Sequence, residues 1–535
     1  MRNEFMAFAF ITVVGTALIG HFFWTPMYWA YLLILPLVVW GIYDMLQYKH
    51  AIVRNFPIIG RGRYMMEFLR PAIQQYFVEN DTDGAPINRQ HRSIVYQRAK
   101  QVLQTNPFGT QQDLYQEGYE WMNHSIAALD PHSLDSHPRV LIGGPTCKRP
   151  YSCSIFNISA MSYGSLSSNA VAALNGGAAI GEFAHNTGEG GISPYHNQYK
   201  GDLIYQIGTG YFGCRTDEGR FSEELFIKRT AEPNVKMIEL KLSQGAKPGH
   251  GGILPAKKNT PEIAEIRNIK PGEAVHSPPY HKEFSTPIGL LNFIQKMQQL
   301  SGGKPVGFKL CVGYKSEFIA ICKAMKQTGI TPDFIAVDGG EGGTGAAPLE
   351  FSDSVGMPHK EGLAFVVDTL MGFDLKKDIK IIAAGKITTA FHLFRTIALG
   401  ADVGYSARGM MLALGCIQAL ECNKNNCPTG VATQDPELVA GLHVTDKKRR
   451  VANYHRDTVQ NFVELMAAAG IADNLRINRT LVWRRISMTN TARYSELYPY
   501  LPIGCLLNEA TVPDDWKKDW DAASADSFLP AIEII

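Results

Sequence analysis

The 535-residue chain has no surplus of either charge: 52 Lys and Arg stand against 50 Asp and Glu, a net charge of +2 with histidine neutral. With no basic stripe to neutralise phosphates, nothing points to nucleic acid as a partner. Cysteine is sparse. Nine residues at irregular spacings are too few for a disulfide scaffold and suit a reducing compartment. There is also no G-x-G-x-x-G turn between a strand and a helix with an acidic residue downstream, which counts against a nicotinamide-binding domain. Residues 48–150 hold no repeat and no low-complexity tract. What remains, 45% hydrophobic and 19% charged, is an ordinary globular enzyme composition, long enough for roughly two to four domains.

The N-terminus differs in kind. Residues 5–24 and 27–46 are two nearly charge-free apolar stretches, each close to the ~20 residues that span a bilayer as a helix. They meet at Thr25 and Pro26, amid Phe22, Phe23, Trp24, Tyr28 and Trp29 and without Lys or Arg, as expected where amphipathic rings settle at the headgroup level. Lys49, Arg54, Arg61 and Arg63 follow. The positive-inside rule therefore predicts a transmembrane hairpin over 1–47 in the inner membrane, with everything after it facing the cytoplasm. A signal peptide is the weaker reading, because the basic leader is slight and a second apolar segment replaces a small-residue cleavage site.

Three of the nine cysteines, Cys416, Cys422 and Cys427, sit within twelve residues, in GCIQALECNKNNCPTGVATQ. A single cysteine is more often buried as a small hydrophobe. Three at C-x5-C-x4-C, set among Asn, Lys and Pro rather than in an apolar run, point to an iron–sulfur centre, with Pro428 turning the chain away after the last ligand. Cys147 and Cys153 share a spacing but lack a third partner, and Cys311 and Cys322 sit in apolar or helical contexts, so these four are expected to be structural.

Residues 48–150 are expected to be irregular and helix-containing, with helices near 94–105 and 111–129. From about residue 153 short β-type runs end in glycine-rich or polar loops and lead into helical segments: FNISAMS, EFAHNTG, DLIYQIG, KMIELKLS, AVHSPP, VGFKLCV, DFIAVDGG, IKIIAAG and DVGYSARG. Such alternation predicts parallel βαβ units, and a series this long predicts an α/β (β/α)8 TIM barrel over 151–440. Nine runs compete for eight places, and DLIYQIG is taken as the surplus one. Residues 441–535 are expected to form a helical extension.

Barrel chemistry lies in the loops that follow the strands, and the last two loops commonly cradle a phosphate. Here they are AGKIT at 384–388 and SARG at 406–409, preceded by the loop GGEGGTG at 339–345. Its glycines let backbone N–H groups approach an anion or a flat ring. A phosphate-bearing mononucleotide flavin fits this arrangement. Lys309, on VGFKLCV, is placed to direct its ammonium into the barrel mouth, where a cation stabilises reduced flavin; a lysine paired with a structural carboxylate fits the same pattern.

The segments AMSYGS (160–165), HNTGEGG (185–191), KLSQGAKPGHGG (241–252), GGEGGTGAAP (339–348), GKITTAF (385–391) and CPTGVATQ (427–434) resemble the synthase domain of glutamate synthase, over about residues 140–440. The resemblance implies a barrel that binds FMN and a [3Fe–4S] cluster held by Cys416, Cys422 and Cys427. It also implies a flavin lined by Met161, Ser162, Asn186, Gln244, Lys309, Gly342, Gly343, Thr344, Gly345, Gly385, Lys386, Ala407 and Arg408. Lys247 and Arg267 fall where the family holds the carboxylates of 2-oxoglutarate, and Glu189 is the candidate contact for ammonium or imine. Ile253 stands where the family pattern GGQLP has glutamine, and an isoleucine cannot make that hydrogen bond.

In function, the resemblance implies an FMN- and iron–sulfur-dependent oxidoreductase acting on CH–NH2 donors, which aminates 2-oxoglutarate to glutamate reductively. The family's N-terminal cysteine nucleophile and C-terminal glycine repeat have no counterpart here, so glutamine hydrolysis is not expected of this chain by itself. Reducing equivalents are expected from a separate partner, a ferredoxin or a flavoprotein subunit. Two alternatives stay open: a membrane-linked dehydrogenase of amino acids or N-substituted amino acids, and a non-catalytic electron-transfer module.

Overall fold

A computed structural model describes residues 1–102 and 104–529. The chain divides into two compact units, Met1–Gly84 and Ala85–Ile535. The first holds helices α1 (Arg2–Phe22) and α2 (Tyr31–Leu46), joined by a 3-10 turn at Thr25–Ala30 with Pro26 in its first turn. Pro fits there because the first N–H groups of a helix have no partner to lose. By length and composition, Arg2–Phe22 and Thr25–Leu46 are long and apolar enough to cross a membrane. After a short helical turn at Ala51–Asn55 comes the helix α3 (Gly60–Ile73).

The second unit is built on a closed barrel of eight strands: β1 (Phe156–Ile158), β2 (His185–Asn186), β3 (Leu203–Ile207), β4 (Val235–Lys241), β5 (Val306–Cys311), β6 (Phe334–Asp338), β7 (Lys380–Ala384) and β8 (Val403–Ser406). All neighbours pair in parallel, and β8 closes on β1 through Tyr405 opposite Asn157. Near-continuous apolar runs suit strands covered on both faces: Phe156, Ile204, Ile238, Phe308, Ile335 and Ile382 are fully buried.

The surplus run is AVHSPP, not DLIYQIG. Leu203–Ile207 is buried along its whole length and bridges β2 and β4. Val275–His276 instead pairs antiparallel with Ile253–Leu254 outside the barrel. Pro278 and Pro279 follow at once, and proline has no N–H to give a central ladder.

Three expectations outside the barrel are also corrected. Helix α4 runs over Arg89–Lys100, starting ahead of the expected 94 because the Asn88 side chain accepts from the His91 N–H at 2.9 Å. It stops where Gln101 turns left-handed at φ 55°. Residues 111–129 form turns and a short strand, Glu120–Met122, that pairs antiparallel with Val482–Arg485. That strand pairs in turn with Thr491–Arg493, so the C-terminal extension is not helical throughout. Its main helix, α6 (Val444–Ala468), packs on α4 and on α5 (Ser168–Gly181).

Candidate active site and cysteine loop

Strands β4, β5 and β6 carry charge into the barrel mouth. Glu239 and Lys241 lie two apart on β4, so both point the same way, and both are buried. Glu239 accepts from Gln206 Nε2 at 2.6 Å and Asn186 Nδ2 at 2.9 Å on one carboxylate oxygen, and from the Tyr405 hydroxyl at 3.4 Å on the other. Burial raises the Glu239 pKa, against the pull of Lys309. Lys309 forms an ion pair with Asp338 at 3.1 Å. Burial alone would lower the lysine, but Asp338 and Glu239 hold it above its usual value.

Above this layer, Lys241 Nζ donates to Glu189 at 2.7 Å and to Gln244 at 2.9 Å. Burial alone would raise Glu189; Lys241, with Arg267 and Lys247 behind it, keeps the carboxyl below its ordinary range. Lys247 donates to the Ala346 carbonyl at 2.8 Å, and burial pushes its ammonium down to about 8. The loop carrying Gln244 and Lys247 meets the glycine loop backbone to backbone: a Cβ on Gly245 would stand 1.7 Å from the Gly339 carbonyl oxygen. The Gly245 N–H donates to Asp338 at 3.0 Å, so one carboxylate holds both Lys309 and this junction.

These elements border a cavity of about 320 Å³. Of the residues expected at the site, Met161, Ser162, Glu189, Gln244, Lys247, Lys309, Gly342, Gly343, Thr344, Gly345, Gly385, Lys386, Ala407, Arg408, Cys416, Cys422 and Cys427 all line it. Ile253 lines it too. Asn186 and Arg267 do not. Asn186 lies beneath, hydrogen-bonded to Glu239. Arg267 ends the helix Pro261–Arg267, donates to the Tyr163 carbonyl at 2.8 Å and lies 5.1 Å over the Phe212 ring. Burial drops it to about 10, and its Nε finds no partner. It backs Glu189 electrostatically from behind the cavity wall.

At the far end of the barrel series, Lys386 and Arg408 face the cavity together. Arg408 donates to the Glu341 carbonyl at 2.7 Å. Burial and the neighbouring guanidinium both disfavour the Lys386 charge. Two half-buried cations that repel one another beside a glycine loop make a fitting seat for a phosphate.

The same cavity reaches all three cysteines of the C-x5-C-x4-C segment. Cys416 and Cys422 are half-buried, Cys427 is buried, and none is in a disulfide. Burial pushes Cys416 up to about 11, with Cys422 and Cys427 adding to the effect. Cys427 moves the other way: the Thr429 hydroxyl and the N–H groups of Ala432, Thr429 and Val431 outweigh its burial. Lys258 fastens the loop, donating to the carbonyls of Cys422 at 2.8 Å and Ala432 at 2.9 Å. Gly345 packs directly on it, since a Cβ there would lie 3.0 Å from Cys422 Cβ. Among the described residues, no three His, Cys, Asp or Glu side chains converge to hold a single metal ion. Thiolates that each hold a different iron of one cluster need not converge on a point, and three soft donors bordering one cavity, with N–H groups aimed at a sulfur, fit such a group.

Residues 98–472 match the family described as a conserved region in glutamate synthase. The chain is 37% identical over 493 residues to the glutamate synthase large subunit-like protein YerD of Bacillus subtilis, covering 84% of this chain and 94% of that protein. It is 37% identical to the archaeal glutamate synthase [NADPH] of Methanocaldococcus jannaschii, over 60% of each chain. Against the ferredoxin-dependent glutamate synthase of Antithamnion sp. it is 35% identical over 45% of this chain and 15% of that protein. The chain belongs to the glutamate synthase family of oxidoreductases.

Proposed function

We propose that this oxidoreductase aminates a 2-oxo acid, 2-oxoglutarate in the first instance, with FMN and a three-iron cluster as its cofactors. The observation that carries the reading is the single cavity bordered at once by the barrel-mouth lysines, the glycine loop with Lys386 and Arg408, and all three cysteines. Lys386 and Arg408 would hold the flavin phosphate, and loop 342–345 and Lys309 would contact the rest of the cofactor. When bound, FMN supplies reversible two-electron chemistry and the cluster supplies single-electron transfer. Cys416, Cys422 and Cys427 would be the thiolate ligands. Family membership favours this direction over amino-acid oxidation or a non-catalytic role.

The residues then divide the work. Lys247 receives a substrate carboxylate, and its buried ammonium gains from an anion what it lost in hydration. Lys241, held by Glu189 and Gln244, presents a second cation to the same space. Glu189, kept ionised by its cationic neighbours, orients an ammonium or imine nitrogen. Arg267 acts as a positioning residue, since its guanidinium fixes Tyr163 and stabilises the Glu189 charge from outside the cavity. Ile253 faces the substrate space with an apolar side chain, so selection there rests on shape.

Anaerobic spectral titration of the purified protein with 2-oxoglutarate plus ammonia, and separately with glutamate, tests the reading. Reoxidation of reduced flavin by the keto acid and ammonia together is expected; a protein without a yellow chromophore, or one that neither substrate set changes, would sink it.

Two further outcomes are expected. Affinity for the dicarboxylate should fall as pH rises through about 8, because Lys247 is cationic below that value and neutral above it. The loss should reach about ten- to a hundredfold, the worth of one charge-assisted hydrogen bond. Lys247→Met should bind weakly and lose the slope; a variant that keeps it refutes the assignment. Gly245→Ala should separate the two loops, because its methyl would overlap the Gly339 carbonyl. Flavin content should collapse while the circular dichroism spectrum is retained.

The apolar helices α1 and α2 support a membrane location, with the barrel on the cytoplasmic side by the basic residues after α2. A ferredoxin or a flavoprotein subunit would exchange electrons with the cluster. Retention in the membrane pellet after alkaline carbonate washing is expected, and release into the supernatant would overturn the location.

A further inference from the structure

Helix α3 is amphipathic in a way that the first unit leaves unused. Arg63, Glu67 and Arg70 recur at spacings of four and three along one side, and Gln74, four further on, opens the π-helical turn Gln74–Val78 that continues α3. Met65, Leu69 and Ile73 run along the opposite side, flanked by Phe68, and Tyr76 and Phe77 follow in the π-helical turn. That is the repeat of a helix with one polar and one apolar face. The apolar face is open: Met65 is 55% exposed, Phe68 83% and Phe77 85%. A soluble protein has no reason to leave such a continuous stripe in water.

The start of α3 is fixed to the last turn of α2. Asp44, fully buried, accepts from the Ile58 N–H at 3.0 Å and from Arg61 Nε and Nη2 at 3.0 and 2.5 Å. The same guanidinium lies 4.9 Å over the Trp40 ring. This two-pronged tie places the amphipathic helix level with the end of a membrane-length apolar helix. Residues 47–78 carry five basic side chains, Lys49, Arg54, Arg61, Arg63 and Arg70, against one acid, Glu67.

We propose that α3 lies in the plane of the cytoplasmic membrane surface, its Met65–Leu69–Ile73 face among the acyl chains of anionic lipid and its Arg63–Arg70 face among the headgroups. An interfacial helix of this kind binds by buried apolar area plus attraction to anionic lipid. Together with the hairpin it makes a three-helix mount, two helices across and one along. The inference rests on the membrane location proposed above.

The test uses the full chain reconstituted in phosphatidylcholine vesicles containing phosphatidylglycerol, with p-benzoylphenylalanine placed singly at Met65, Leu69, Gln74 or Leu33. Leu33, exposed in the first turn of α2 and within its apolar stretch, reports on the hairpin itself. Irradiation is expected to give acyl-chain adducts at positions 33, 65 and 69, and about tenfold fewer at 74, on the polar face. Adducts at 33 with none at 65 and 69 overturn the inference and leave the hairpin standing. Equal yields at 69 and 74 overturn the orientation. Crosslinks from 65 and 69 to a second copy of the chain assign the face to an oligomer instead. Absence of lipid adducts at 33 removes the membrane location and the inference with it.

Discussion

Cys422→Ser is expected to strip most of the iron from anaerobically purified protein while leaving the flavin bound. The two proposed cofactor sites share a cavity but not their holding groups. The proposed flavin seat is made of Lys386, Arg408 and the glycine loop, and the cluster seat of three thiols on the segment after β8. Cys422 is the middle thiol, and its main-chain carbonyl is held from outside the loop by Lys258, as that of Cys416 is by the Tyr96 hydroxyl at 2.6 Å. Serine keeps the size and the backbone and removes the soft donor that iron prefers. Metal binding must also displace protons from thiols that burial keeps protonated, Cys416 above all, so iron occupancy should fall off at low pH. Lys258→Met is expected to lower iron content in part, by releasing the loop without removing a ligand. If iron per chain is unchanged in Cys422→Ser, the thiols are structural. If flavin is lost with iron, contact of Gly345 with Cys422 couples the two seats.

Barrel and cysteine segment were legible because both are local patterns. Runs of buried β-type residues name strands by themselves, and three thiols in a dozen residues name a candidate ligand set, which the fold brings to one cavity. The choice of surplus strand went wrong where two runs looked alike over a few residues. AVHSPP carries its own contradiction in Pro278 and Pro279, whereas the tyrosine and glutamine in DLIYQIG are polar groups that find partners only once the barrel closes, Gln206 on Glu239 and Tyr205 on the Phe212 carbonyl.

The site residues that sequence reading missed were long-range by nature. Glu239 and Lys241 did leave a signal, two charges at i and i+2 inside an apolar strand, which only an inward-facing polar network accommodates. Lys258 left none, since nothing in its neighbourhood shows that its ammonium will meet the carbonyls of residues 422 and 432. Arg267 was placed in the cavity by likeness of motif. In the fold, the helix that carries it turns the guanidinium toward Tyr163 and Phe212, and a motif does not specify that rotation.

Arg479→Met should be the most damaging change outside the site, destabilising the barrel unit by about 3–5 kcal/mol. Arg479 is fully buried, where the C-terminal segment meets the barrel helices His359–Gly372 and Ala390–Ala398. It pairs with both carboxylate oxygens of Asp368, at 3.0 and 2.9 Å, and donates to the carbonyls of Tyr498 at 2.7 Å and Leu399 at 3.2 Å. Its guanidinium also lies 4.2 Å over the Tyr500 ring. Removing it strands a buried carboxyl that burial already raises to about 6 even with the arginine present, and it leaves two carbonyls unpaired. The cost comes from the partners left behind rather than from the pair's own attraction, which desolvation largely offsets. Asp368→Leu in the Arg479→Met background should therefore recover much of the loss, because apolar groups of similar volume replace an isolated charge. Denaturant midpoints of the three proteins decide the matter. A single variant that unfolds with the parent, or a double variant no better than the single, would show that the ion pair does not anchor the C-terminal segment.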